Sequence, residues 1–261
     1  MNGKRRCPAI FALTIAIVAT AVASPAQVLE TETARLRKKG AVQLGVNYEY
    51  QTSSEGHESA VPFVFEYGFN DRLERVVEPV AATRIRPKKT PRASGLGDTE
   101  VTLQYLVARE GRWPALALGG EVKFPTARNS LIGTGKTDVA AILIASKKLG
   151  PADLHLNLNY TFVGQPAGAK LSNTVGGAVA MMVPLSRRLR VYGEVLAITS
   201  AGGGEGDALP LSSAPEAAGQ ELVGTLGLGY YVRPKWFLSL GVSYDNTHAV
   251  LFRPGITFRS K

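Results

Sequence analysis

Three short stretches carry residue types that could do chemistry. Ser130 to Thr137 reads SLIGTGKT, one residue from the phosphate loop G-x-x-x-x-G-K-[ST]. In that loop, backbone N–H groups and a lysine cradle phosphate at the start of a helix. Here Ser130 replaces the first glycine, and the DVAAILIAS that follows is rich in strand formers; an external loop is the better account. Gly95-Leu96-Gly97-Asp98-Thr99-Glu100 begins like a dinucleotide fingerprint, but Glu100 stands at the third glycine and a strand pattern follows, so it reads as a turn. Gly241-Val242-Ser243-Tyr244-Asp245 lacks the second glycine of a hydrolase elbow, and His155 has no evident serine partner. His57, His155 and His248 lie far apart, and Cys7 is the single cysteine. That spacing offers no metal-ligand set. No catalytic residue, metal or cofactor is expected, and the chain reads as a non-enzyme.

The charges that remain fall on a pattern. Glu49, Glu66, Glu74, Glu78, Glu100, Glu121 and Glu194, with Lys123, His155, Arg190 and Arg253, occupy positions between apolar residues. Apolar residues at every second position put one face of a strand in an apolar medium and the other in a polar one. Val42, Leu44, Val46, Tyr48 and Tyr50 form one such series; Leu154, Leu156, Leu158, Tyr160 and Phe162 form another, and Trp236, Leu238, Leu240, Val242 and Tyr244 a third. About twelve segments of this kind can be counted. Short links at Asn70-Asp71-Arg72, Glu110-Gly111-Arg112, Gly150-Pro151-Ala152, Ser186-Arg187 and Val232-Arg233-Pro234 alternate with longer polar links at 51–59, 84–94, 126–136, 164–173 and 199–219; only the last outer link, near Asn246, breaks the rule.

Alternating short and long links over an even number of strands is the layout of an outer-membrane barrel, whose lumen tolerates charge. The fold expected is therefore all-β, an antiparallel transmembrane barrel of about twelve strands. Tyr48, Tyr50, Tyr67, Phe69, Tyr160, Phe162, Tyr230, Tyr231, Trp236 and Phe258 stand near strand ends and are expected to form the aromatic girdles. Three places fit poorly. Arg75 falls on the outward phase, Val139 to Ala145 is apolar on both phases, and Val175 to Val183 is rich in Gly and Ala.

Residues 1–26 read as a secretory signal peptide: Lys4, Arg5 and Arg6, then an apolar run from Ala9 to Ala23, then small residues. Residues 27–39 form a periplasmic N-terminal segment and 40–261 the barrel. The chain has 261 residues, 45% of them hydrophobic and 20% charged, which excludes a disordered protein. Its net charge of +9 falls to about +6 once the signal leaves with three basic and no acidic residues. The basic clusters Arg35, Arg37, Lys38, Lys39 and Arg84, Arg86, Lys88, Lys89, Arg92 would suggest nucleic acid in an intracellular protein. In an exported one they suit anionic lipid headgroups or lipopolysaccharide, or are solvated loops.

The stretches EYQTSSEGHESAVPFVFEYG (49–68), GLGDTEVTLQY (95–105), PALALGGEVKFPTA (114–127), GTGKTDVAAILIASKKLG (133–150) and LHLNLNYTFVG (154–164) resemble the bacterial outer-membrane barrel family named for the meta-cleavage pathway of phenol degradation. The resemblance runs from about Glu30 to Gly164 and then thins to a general strand pattern. It implies an outer-membrane transporter for aromatic or other hydrophobic compounds in a Gram-negative bacterium, and it carries no catalytic residues. Such barrels usually end in an aromatic residue that assists the barrel-assembly machinery, whereas this chain ends Phe258-Arg259-Ser260-Lys261.

The reading is a channel for passive passage of small solutes across the outer membrane. Its expected lining is Glu49, Glu66, Glu78, Glu100, Glu121, Lys123, His155, Arg190, Glu194 and Arg253, and its loop 199–219 is a candidate gate. Expected partners are outer-membrane lipid and lipopolysaccharide, the assembly machinery and the solute, and no nucleic acid. Two alternatives stay open: a structural barrel whose lumen is filled by charge pairs, and a periplasmic lipid-binding β protein. Segment 27–39 could be a short helix at or inside the periplasmic mouth, or a tail.

Overall fold

The structure, a computed structural model, describes residues 29–89, 91–168, 170–201 and 220–260. The signal segment and almost all of the 199–219 link lie outside the described residues. Among the described residues there are fourteen strands and no α-helix. They are β1 (Val42–Asn47), β2 (Glu49–Thr52), β3 (Gly56–Asn70), β4 (Leu73–Pro87), β5 (Ala93–Gly95), β6 (Thr99–Ala108) and β7 (Ala115–Phe124). There follow β8 (Asp138–Leu149), β9 (Ala152–Phe162), β10 (Thr174–Pro184), β11 (Leu189–Ile198), β12 (Glu221–Arg233), β13 (Trp236–Asp245) and β14 (Val250–Arg259).

These make a closed antiparallel barrel of twelve strands. β1 and β2 are two halves of one strand, both paired to β14 and to β3, with a break at Tyr48. β5 is a short addition to the far end of β4. Closure gives every spanning strand two neighbours, which is what lipid demands of backbone N–H and C=O groups.

The period of two is visible in the burial pattern. On β13 every residue from Trp236 to Asp245 alternates exposed and buried. Leu103, Leu118, Leu143, Leu158, Leu226 and Leu240 are among the large apolar side chains left exposed on the outer face. A continuous apolar belt of this kind is stable against lipid and costly in water. Aromatic pairs sit on the belt where expected: Tyr67 with Phe69 at 5.1 Å, Tyr160 with Phe162 at 4.9 Å and Trp236 with Phe258 at 5.2 Å. Tyr231 departs from the girdle. It falls on the inward phase of β12 with Thr225, Gly227 and Gly229, pairs in register with Phe237 and lies 4.8 Å from that ring, which is only 2% exposed. Outward-facing Arg75 lies 6.0 and 5.8 Å from the rings of Phe65 and Phe69, so its charge rests on aromatic faces near a strand end.

All five short links lie at one end, where β1 begins and β14 ends, and leave two to six residues between strands. The expected long link at 51–59 is corrected: the strands continue, and only three residues separate β2 from β3. Gly56 allows that turn, since a Cβ there would lie 2.4 Å from the Arg86 carbonyl oxygen. The SLIGTGKT stretch is a loop between β7 and β8. Ile132 anchors it, fully buried against Ala93, Ala127 and Ile85. A strand follows it instead of a helix, which removes the phosphate-loop reading.

The inner wall needs small residues where aromatics point inward. A Cβ on Gly229 would lie 2.0 Å from the Phe237 ring and 2.9 Å from that of Tyr192. Gly229→Val is therefore expected to destabilise the barrel by about 1–3 kcal/mol through overpacking, read as a lower transition temperature in the gel-mobility difference between folded and unfolded forms. An unchanged transition would show that the aromatic cluster is loosely packed.

Candidate functional site

A lumen lined by acids on its strands needs cations, and the chain just before β1 brings them. Residues 29–39 run inside the barrel without regular structure, and their polar groups are met by strand side chains. Gly40 N donates to Gly68 O at 2.8 Å, fixing the entry at the short-turn end. Gly68 has no room for a Cβ, which would come 2.3 Å from the Lys38 carbonyl oxygen. Arg37 Nε then meets Glu66 at 2.6 Å and Glu74 at 3.7 Å, while its Nη2 donates to Gln43 at 2.7 Å. Arg35 bridges Asp153 at 2.5 Å and Glu110 at 2.7 Å. Ala34 N donates to Ser146 Oγ at 2.9 Å.

Further in, Glu32 and Asn157 clasp each other: Glu32 N donates to Asn157 Oδ1 at 2.6 Å, and Asn157 Nδ2 donates to Glu32 O at 3.0 Å. Thr31 donates through N and Oγ1 to Glu194 at 2.7 and 2.5 Å. Arg253 closes the series with Glu30 at 2.5 Å and Glu49 at 2.8 Å. Irregular backbone at this depth is tolerated because protein groups satisfy it.

The two segments that fitted poorly as strands are the seats of this insert. Ile144 and Ile142 on β8 pack with Ala34 and Leu36, together with Leu106, Ala115 and Ala117. Ala180 and Met182 on β10 pack with Leu29, Tyr192 and Phe237. The apolar inward phase of β8 and the small residues of β10 thus receive the insert's own apolar side chains. The expected periplasmic segment is, over its described residues, a luminal plug; it is neither a helix nor a tail. The arginines of its basic cluster face carboxylates, not lipid headgroups.

Beyond the plug, towards the long-loop end, lies a chamber of about 350 Å³. Of the expected lining residues, Glu49, Glu78, Glu100, Glu121, Glu194 and Arg253 border it. Glu66 is buried beside the insert at the short-turn end, where Gln43 Nε2 also donates to it. Lys123 is buried in an ion pair with Asp138. His155 Nδ1 and Ser146 Oγ share a hydrogen bond at 2.8 Å, so the imidazole braces the seryl group that holds Ala34. Arg190 lies apart, over the Tyr231 ring at 5.4 Å and bonded to the Ser186 carbonyl at 2.9 Å.

Sequence reasoning missed the luminal roles of Thr31, Arg35 and Arg37. The signal was present: seven glutamates on the inward phase against two arginines and a lysine, with a basic stretch immediately upstream. It also missed Asp98, read only as part of a turn. Asp98 is 2% exposed, its Oδ1 accepts from Ala127 N at 2.9 Å, and a Cβ on Gly133 would come 2.8 Å from its Oδ2. Three stretches that carried the family resemblance meet at this one carboxylate.

On the insert, burial lowers the pKa of Arg35 and Arg37, but their carboxylate partners outweigh it and both end raised. Burial pushes Glu32 up to about 7 from 4.5; a hydrogen bond with Gln104 opposes this, and Glu66, Glu121 and Glu30 add to it.

No family model matches the chain, and no curated protein matches it in sequence, so the family suggested by residues 30–164 is not confirmed. Solved structures do match. An outer membrane channel from Pseudomonas putida F1 superposes with a TM-score of 0.66 at 12% identity, covering 87% of this chain and 97% of that one. The NanC porin gives 0.57 at 12% identity, with 82% and 98% covered. The KdgM porin in complex with disordered oligogalacturonate gives 0.54 at 10%, with 82% and 98% covered. At such identities the likeness establishes the fold alone, that of an outer-membrane β-barrel.

Two predictions follow from the insert. Arg37→Ala leaves buried Glu66 without its guanidinium, a loss on the order of 3–5 kcal/mol. It is expected to free the insert, so that a Thr33→Cys reporter, shielded otherwise, reacts with a maleimide. Docked Glu32 keeps its proton to higher pH than in the free chain. Docking is therefore fully supported below 4.5 and loses that support as pH rises through about 7. Divided at each pH by the rate of the unfolded chain, which removes the thiolate's own titration, the reporter's labelling rate should climb across that window and flatten in Glu32→Gln; a pH-independent ratio would contradict the assignment.

Proposed function

We propose that the protein is a non-enzymatic channel of a Gram-negative outer membrane that passes small solutes passively and is narrowed by its own N-terminal insert. The observation that carries this is the chamber of about 350 Å³ inside a closed barrel with an apolar outer belt, separated from the short-turn end by the insert at residues 29–39. A barrel built only to be structural would fill its interior from its own strands, as small barrels do. Here a chain segment outside the strands, residues 29–39, packs against the inner wall at the short-turn end. The outer-membrane barrel fold supports the same reading, with the short turns in the periplasm and the long loops outside.

Aromatic and other hydrophobic small molecules are within the proposed solute range, on the resemblance of residues 30–164 to the phenol meta-cleavage barrel family. Arg84 and Arg86 are exposed on the long-loop extension of β4, with Lys88, Lys89 and Arg92 beyond them. This basic cluster fits lipopolysaccharide phosphates. Insertion would use the barrel-assembly machinery.

The test is liposome swelling with graded neutral solutes, comparing the mature chain with a variant lacking residues 29–39. The deletion is expected to raise the permeation rate severalfold and to lift the size limit. If both forms insert and neither passes solute, the filled structural barrel replaces the channel.

A further inference from the structure

The chamber is strongly one-sided in charge. Eleven acidic side chains and one basic one border it among the described residues. The one cation, Arg253, is occupied by Glu30 and Glu49 at 2.5 and 2.8 Å. Among the residues that line it, Asn47, Asp98 and Glu221 each carry a buried acceptor, Oδ1, Oδ2 and Oε2 respectively, with no hydrogen-bond donor among the described residues. Asn47 and Asp98 are 5% and 2% exposed. Buried polar groups in folded proteins are almost always hydrogen-bonded, and an acceptor left without a donor costs free energy. What these three lack is a donor, and what the wall as a whole lacks is positive charge.

We propose that this chamber binds an organic cation of the alkylamine class, its N–H groups donating to Asp98 and Glu221. Asp98 begins at the entry to β6 and Glu221 opens β12; six strand positions separate them around a ring of twelve, so they face each other across the barrel at the long-loop end. Opposed acceptors suit a ligand with donors at both ends. Between them the wall includes Val64, Val80, Ile142 and Leu196, apolar surface for a hydrocarbon body. A bare metal ion fits less well, since among the described residues no three His, Cys, Asp or Glu side chains converge to hold one. An anionic solute would meet like charge on every side.

The assignment rests on the channel reading for how the cation arrives, while the site itself is testable without transport. The detergent-solubilised mature protein is titrated in a calorimeter with three probes of one length: 1,6-diaminohexane, hexane-1,6-diol and adipate. Saturable heat is expected from the diamine alone, with affinity about tenfold weaker in Asp98→Asn and again in Glu221→Gln, the weight of one hydrogen bond to a charged group. Equal binding of the diol, the absence of saturable diamine binding, or binding indifferent to both substitutions overturns the proposal; the second result would mean that water alone serves these oxygens. The probe series needs no variant, so a misfolded Asp98→Asn leaves the test intact. Diamine binding with no permeation by the mature chain or by the barrel lacking residues 29–39 keeps the site and overturns the channel. Permeation without diamine binding does the reverse.

Discussion

β1 and β14 pair from Gln43 with Arg259 to Asn47 with Gly255, and the rest of the molecule depends on that seam. A sheet left open there would expose a row of backbone donors and acceptors to lipid, which offers them no partner. Once the seam closes, every strand must send alternate side chains into a confined interior. The seam is also tied inward. Arg259 Nε donates to Gln43 Oε1 at 2.6 Å, and the same oxygen accepts from Arg37 Nη2 at 2.7 Å. The last strand, the first strand and the insert thus share one amide oxygen, so that closure and plugging are coupled at a single point.

Inside, polarity is divided along the axis. The short-turn half is compensated: Arg37 answers Glu66 and Glu74, Arg35 answers Asp153 and Glu110, and Arg259 lies over Tyr231 and Phe237 at 5.7 and 5.3 Å. The long-loop half keeps an excess of carboxylates. Buried like charges repel more strongly than exposed ones because the wall screens them poorly. The compensated half therefore holds the insert in place, and the uncompensated half sets what the interior attracts.

The barrel itself was legible because alternation is forced residue by residue: Leu154 to Phe162 can satisfy lipid and lumen together only as a strand. The five short links were legible for the same reason, as breaks in that rhythm. Loop lengths were not, since β2 and β3 run on past the apolar belt, and polar strand residues at 51–59 look like a loop when only hydrophobicity is read. Tyr231 was misplaced because it was grouped by residue type with its neighbour Tyr230, although the alternation along β12 puts the two on opposite faces. The inward charges were legible as a set, but their pairing was not. Lys123 finds Asp138 on the neighbouring strand, whereas Glu194 finds Thr31 at a sequence distance of 163. Contacts that long leave no local pattern. The awkward phases of β8 and β10 did mark the insert's seats, as irregularities awaiting a partner.

The insert is joined to β1 through Gly40 and Ala41 alone, and the Gly40 N to Gly68 O bond pins that junction. It is therefore a ligand that cannot leave by dilution. Held on so short a tether, a detached segment would sample its own binding surface at an effective concentration on the order of millimolar or above. Opening is then a first-order event, indifferent to how many copies the membrane holds. Any solute that displaces the insert must compete with that standing concentration, not with the insert's intrinsic affinity alone.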